Sequence, residues 1–218
     1  MSRVLVVAAH PDDEVIGIGG TLYEHAKRKD QVLVLYLADG VTSREAATEK
    51  DVESRRTEAG LALLSLGVSE SSFLGLPDQR LDTVPLLDIV KHVERVKERI
   101  HPDVVYTHSQ NDLNEDHRIA FQATVTAFRP VSYASPTIYS YCPIPLSLEP
   151  FSPNTFMPLT LSAVKKKIEA MRLYASEQRA KPHPHSLESI EITARYWGSQ
   201  CGCMYAEPLL LVRHLIRY

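Results

Sequence analysis

Val4-Leu5-Val6-Val7-Ala8-Ala9-His10-Pro11-Asp12-Asp13-Glu14 is the stretch on which the reading of this chain turns. Its first six residues are apolar and valine-rich, which predicts a buried strand over 4–9. A histidine and two carboxylates, Asp12 and Asp13, follow at once. Ile16-Gly17-Ile18-Gly19-Gly20 then opens a segment that reads as a helix over 17–28. In open α/β sheets, ligands bind outside the carboxyl ends of the strands. A ring nitrogen beside two carboxylates at that position suits a divalent metal, zinc first, and leaves one carboxylate free to act as a base.

The glycines after the acidic turn do not make a dinucleotide loop. Gly17-x-Gly19-Gly20 lacks the G-x-G-x-x-G spacing, and a pyrophosphate there would meet Asp12, Asp13 and Glu14. They read instead as positions where a helix packs closely on a sheet.

Strand and helix signals alternate beyond this point. Strands are predicted over 31–37, 72–76 and 104–107, and helices over 48–66, 84–100 and 117–128. Repeated strand–helix units with short joins imply a mainly parallel, Rossmann-like sheet with helices on both faces and the metal site at its carboxyl edge. Residues 130–160 depart from this texture. They hold seven of the fourteen prolines and read as an irregular excursion around Ile138-Tyr139-Ser140-Tyr141, expected to shape a site, with Tyr139 and Tyr141 offering flat faces to sugar rings. Helices over 162–176 and 186–198 and a last strand over 208–212 complete the chain, with Trp197 expected in the core.

A second polar cluster follows the fourth strand: His108-Ser109-Gln110-Asn111-Asp112-Leu113-Asn114-Glu115-Asp116-His117-Arg118. Neighbouring parallel strands lie about 5 Å apart, so loops after strands one and four converge if those strands are adjacent. His117 is a metal ligand on that reading. On the plainer one it opens a helix, with Asp116 favouring the positive end.

The bulk composition excludes several classes. The 218 residues are 44% hydrophobic and 23% charged, which predicts one globular domain over 1–218. A net charge of −3 offers no footprint for nucleic acid or an anionic membrane. No run approaches the ~18 apolar residues of a membrane span. The first strand begins close to Met1 without a secretory pattern, and three cysteines make no disulfide framework, so the cytoplasm is the expected compartment. Cys201-Gly202-Cys203 lacks C-x-x-C spacing and reads as ordinary thiols.

On the Ala9–Glu14 turn, the segment Asp112–Arg118 and the ending Tyr205-Ala206-Glu207-Pro208, the chain resembles the PIG-L/LmbE-like zinc-dependent deacetylase family. The matching pieces run from residue 4 to about 213. The resemblance implies zinc on His10, Asp13 and His117, Asp12 as general base, and removal of an acetyl group from an N-acetylglucosamine-type sugar or conjugate. Three protein ligands leave an open position, as in catalytic zinc sites.

The chain departs from the family's H-x-x-H at Asn114. An amide donates a hydrogen bond but does not shuttle a proton. His183, in Lys181-Pro182-His183-Pro184-His185-Ser186, is the expected proton donor, with His108 the alternative. Arg55, Asp78, His108 and Asn114 are the expected substrate contacts. For Arg55 an ion pair with Glu58, and for Asp78 a turn, are the plain alternatives. A small N-acetylated amino sugar or conjugate is the expected partner, with no nucleic acid and no membrane span, and with a homo-oligomer left open. Two other readings are a deacylase of another N-acyl compound and a non-catalytic sugar-binding α/β module.

Overall fold

The computed structural model describes residues 1–131, 135–144 and 147–216. Strand β1 (Arg3–Ala8) leads into helix α1 (Asp13–Lys27), then β2 (Gln31–Ala38), α2 (Glu49–Ser65), β3 (Glu70–Leu76), α3 (Leu86–Ile100), β4 (Val104–His108) and α4 (Glu115–Ala127). The second part of the chain adds β5 (Thr137–Tyr141), β6 (Thr155–Pro158), α5 (Leu161–Leu173), α6 (Leu187–Cys201) and β7 (Ala206–Arg213).

These strands form one sheet in the order β3-β2-β1-β4-β5-β7-β6. The first five run parallel, while β7 is antiparallel to both β5 and β6. The chain turns outward from β1 in one direction through β2 and β3, and in the other through β4. The loops after β1 and β4 therefore face each other at the switch point, where an open sheet leaves a crevice.

Alternation along β1 divides the core. Val4, Val6 and Ala8 face one layer with Leu22 of α1, Leu63 of α2, Met171 of α5 and Ile190 of α6. Leu5, Val7 and Ala9 face the other with Val90 and Val93 of α3 and Ala120 and Ala123 of α4. Each buried valine, leucine, isoleucine or methionine among them contributes about 1.5–3 kcal/mol by leaving water, so both faces hold β1 and aim its carboxyl end.

Helix α1 begins at Asp13, earlier than the glycine run suggests, and breaks at Ile18 (φ −137°, ψ 21°). The break frees amides inside the helix, and Glu207 accepts them: Gly20 N–H at 2.9 Å and Thr21 N–H at 2.7 Å. Lys167 Nζ neutralises the carboxylate at 2.6 Å. A Cβ on Gly17 would run into the Tyr141 ring, so close packing on the sheet is what this glycine permits.

The proline-rich excursion is corrected in part. Residues 137–141 and 155–158 are strands of the sheet, the second at its edge, where Pro158 is tolerated. Residues 132–134 and 145–146 of that stretch lie outside the described residues. Tyr139 is half-buried and stacks one face on Tyr106, while Tyr141 is fully buried against His108 and offers no face to a ligand. Trp197 is half-buried beside Phe156 and Tyr196 rather than in the core. The three cysteines are free. Among the described residues, no helix is long and apolar enough to cross a membrane.

Candidate active site

A cavity of about 490 Å³ opens where the loops after β1 and β4 meet, a size that admits a sugar-sized ligand. His10, Asp12 and Asp13 enter it from the β1–α1 turn. Asn114 and His117 come from the start of α4, and Asp78 and Gln79 from the loop after β3. Arg55 of α2 and Glu177 and His185 of the C-terminal region close the remaining side.

Asp13 is the hub. Its Oδ2 accepts the His10 N–H at 2.8 Å and lies 3.3 Å from His10 Nδ1, while Oδ1 lies 3.3 Å from His117 Nε2. Potential ligand atoms of His10, Asp13 and His117 fall within 4.8 Å of one another. Each imidazole turns its other nitrogen to a carboxylate. His117 Nδ1 is 3.0 Å from Asp112 Oδ2, and His10 Nε2 is 3.0 Å from Asp116 and 3.1 Å from Asp78. Such outer carboxylates fix ring orientation in histidine metal sites. An N, O, N donor set so supported fits a divalent ion of the zinc type.

The charges are strongly linked. Burial opposes the ionised Asp13, but the His117 charge and the His10 hydrogen bond hold its carboxyl well below the usual range. Burial also opposes charge on His117, yet Asp13 and Asp112 raise it to about 9. Asp12 behaves oppositely: burial, then the neighbouring Asp13 charge, push it well above an ordinary aspartate. Asp12 precedes α1 at the N-cap position, but its side chain makes no capping bond. The carboxylate is therefore left to the cavity.

The other expected contacts differ in what they do. Asn114 lines the cavity and caps α4, its Oδ1 accepting the Asp116 N–H at 2.9 Å. Asp78 also lines it, but its oxygens are spent on His10 and on the Ser43 hydroxyl. Arg55 is 2% exposed and donates to Pro11 O at 3.1 Å and Ser176 Oγ at 3.0 Å, and it pairs with Glu177. Its Nε also lies 3.5 Å from Glu58, the ion pair its spacing allowed.

Two histidines are corrected. His108 does not line the cavity. It is fully buried behind His117, where its Nε2 accepts the Ala9 N–H at 2.8 Å. His183 is exposed, its Nδ1 accepting the His185 N–H at 3.1 Å. The histidine that enters the cavity is His185, with ligand atoms within 4.8 Å of those of Asp12 and Glu177. Sequence reasoning missed Glu177 as well. No local spacing marks either residue, since only the return of α5 to α2 brings them in.

A family model described as PIG-L, GlcNAc-PI de-N-acetylase, matches residues 5–128, more than half of the chain. The chain is 28% identical to an uncharacterized deacetylase of Escherichia coli (strain K12), covering 79% of this chain and 87% of that one. It is 24% identical to diacetylchitobiose deacetylase of Thermococcus kodakarensis, covering 97% and 84%. Among solved structures, a conserved protein from Thermus thermophilus matches with a TM-score of 0.79 and 26% identity over 100% of this chain and 98% of that one.

Proposed function

Because the chain belongs to the PIG-L family of GlcNAc-PI de-N-acetylases, we propose that it is a zinc-dependent hydrolase releasing acetate from an N-acetylglucosamine-type sugar or conjugate. The observation that carries this reading is the uncapped Asp12 carboxylate standing in the cavity beside His10, Asp13 and His117. Those three residues would hold the ion, which when bound makes water acidic and polarises an amide carbonyl.

The chain's own groups do the rest. Asp12, whose side chain makes no capping bond and faces the cavity, takes a proton from the attacking water. The Asn114 side chain commits its oxygen to the helix cap, which leaves its NH₂ to donate to a substrate oxygen. When the C–N bond breaks, the nitrogen must gain a proton. His185 brings a ring nitrogen within 4.8 Å of the Asp12 carboxylate in the cavity, and it relays that proton to the leaving amine. Glu177 stays ionised beside it: burial works against the charge, but Arg55 and Arg44 hold its pKa down. The compartment on this reading is the cytoplasm, where free cysteines stay reduced.

The test is acetate release by the zinc-loaded protein from N-acetylglucosamine conjugates, with N-acetyl amino acids alongside. Acetate from the sugars is expected. Asp12→Asn should keep its zinc and lose on the order of a hundredfold to ten-thousandfold in kcat. Release from the amino acids alone would move the substrate class, and release from neither would end the proposal.

A further inference from the structure

Asp12 has φ 122° and ψ −28°, a backbone region that side-chain-bearing residues rarely adopt. Such a conformation persists only where the surroundings over-determine it. Here they act on one peptide unit. The Pro11 carbonyl accepts a hydrogen bond from Arg55 Nη1 at 3.1 Å, and the Asp12 N–H donates to Glu14 Oε2 at 3.1 Å. The C=O and N–H of a planar trans peptide point in opposite directions. Two bonds on opposite edges therefore fix its rotation, which is to say ψ of Pro11 and φ of Asp12. That rotation aims the Asp12 side chain.

Both arms lead to the same place. Glu14 is fully buried, and its Oε1 accepts the Tyr174 hydroxyl at 2.7 Å. The Tyr174 oxygen lies 3.5 Å from that of Tyr36 on β2. Arg55 donates to Ser176 and pairs with Glu177. Tyr174, Ser176 and Glu177 fall within four consecutive residues, the end of α5 and the short 3₁₀ turn Ala175–Glu177. Neither Glu14 nor Tyr174 lines the cavity.

We infer that residues 174–177 form a two-armed clamp on the Pro11–Asp12 peptide, with Glu14 and Tyr174 as positioning residues for the carboxylate of Asp12. The inference rests on Asp12 being the base of the proposed reaction, but the clamp itself is a property of the backbone. The turn at 174–177 thus sets the angle of a residue more than 160 positions earlier in the chain.

Four variants test it: Glu14→Leu, Glu14→Gln, Tyr174→Phe and, as a matched lesion outside the clamp, Tyr106→Phe. Glutamine keeps an oxygen for the Asp12 N–H and an NH₂ for the Tyr174 oxygen, so it should preserve the clamp. Leucine keeps bulk and removes the acceptor. The clamp predicts that Asp12 leaves φ 122° in crystals of Glu14→Leu and that kcat falls at least about tenfold below that of Glu14→Gln, with zinc retained and KM little changed. Tyr174→Phe should fall in the same direction, while Tyr106→Phe loses comparable thermal stability without loss of kcat. Should Glu14→Leu not fold, Tyr174→Phe gives the same reading. Asp12 unmoved in the folded variants, kcat no lower than in Tyr106→Phe, or zinc lost from Tyr174→Phe would each overturn the clamp. A wild-type protein that releases no acetate refutes the proposed function instead, and the crystallographic φ of Asp12 still decides the clamp.

Discussion

The imidazole of His108 lies flat against that of His117, with ring centroids 4.0 Å apart and planes 23° from parallel. His108 is the last residue of β4, and its Nε2 holds the Ala9 N–H just past β1. One buried ring thus ties together the two strand ends that carry the site. Burial, and then the charge of His117, hold its pKa well below 6.5, so it is neutral and its lone pair is available to Ala9. His108→Phe keeps the ring but leaves a buried N–H unpaired, which costs about 1–3 kcal/mol. The expected outcome is a lower Tm with KM for the sugar unchanged. A raised KM at unchanged Tm would restore His108 as a substrate contact.

The outer carboxylates carry a second prediction. Asp112 faces His117, and Asp116 faces His10 while also accepting the Leu81 N–H at 3.0 Å. Asp112→Asn and Asp116→Asn should each weaken zinc binding by roughly 10–100-fold. His10→Ala and His117→Ala should abolish it. Competition with a chromogenic chelator reads both effects. Full zinc affinity in all four variants would remove the metal from this cavity.

The β1–α1 turn was legible because an apolar run and an acidic turn are local signals, and β1 packs on both faces as its composition suggested. The meeting of His10 with His117 followed from strand adjacency at a switch point. The strand Thr137–Tyr141 was obscured by the prolines around it, although it runs parallel to β4 throughout its length. Helix α1 starts at Asp13 rather than at residue 17 because Asp13 and Glu14, which read as part of an acidic turn, equally suit the positive end of a helix. The amides freed by its internal break are met by Glu207 from the other end of the chain. His183 and His185 flank one proline in an irregular loop. No periodicity there says which of the two faces inward, and the packing that decides it involves α5 and α2.

At the opposite end of the sheet, His25 predicts a pH-dependent stability. Its Nδ1 is 2.8 Å from Asp30 Oδ2 and its Nε2 is 3.0 Å from the Tyr106 hydroxyl, with Arg28 also against it. Burial, with Arg28 acting against Asp30, lowers its pKa below 6.5. The unfolded chain therefore binds the proton more readily between the folded value and 6.5. The contribution is present above 6.5 and is lost as pH falls toward the folded pKa. Asp30, whose pKa is lowered from 3.8, titrates below this window. His25→Gln keeps hydrogen-bonding groups without the titration, so its denaturation midpoint should decline less than that of the wild type between about pH 7.5 and 5.5. Equal slopes for the two proteins would show that His25 does not titrate as its surroundings require.

The last prediction separates the two loop histidines. His185 reaches the cavity, whereas His183 spends its carbonyl on the Ser186 N–H at 2.9 Å and the Ser189 hydroxyl at 3.2 Å, and its ring on the His185 amide. Burial lowers the His185 pKa below 6.5, against the pull of Asp13. The resting ring is therefore neutral at about pH 7. It can take the proton that Asp12 has accepted, and once charged it gives that proton up readily to an amine. His185→Ala should retain zinc and lower kcat on the order of a hundredfold or more, whereas His183→Ala should change kcat little. In the wild type, activity should fall on the acid side as His185 becomes charged in the resting enzyme, and that limb should weaken in His185→Ala. If kcat falls in His183→Ala and not in His185→Ala, the roles are exchanged. If neither substitution lowers kcat, Asp12 itself returns the proton to the amine.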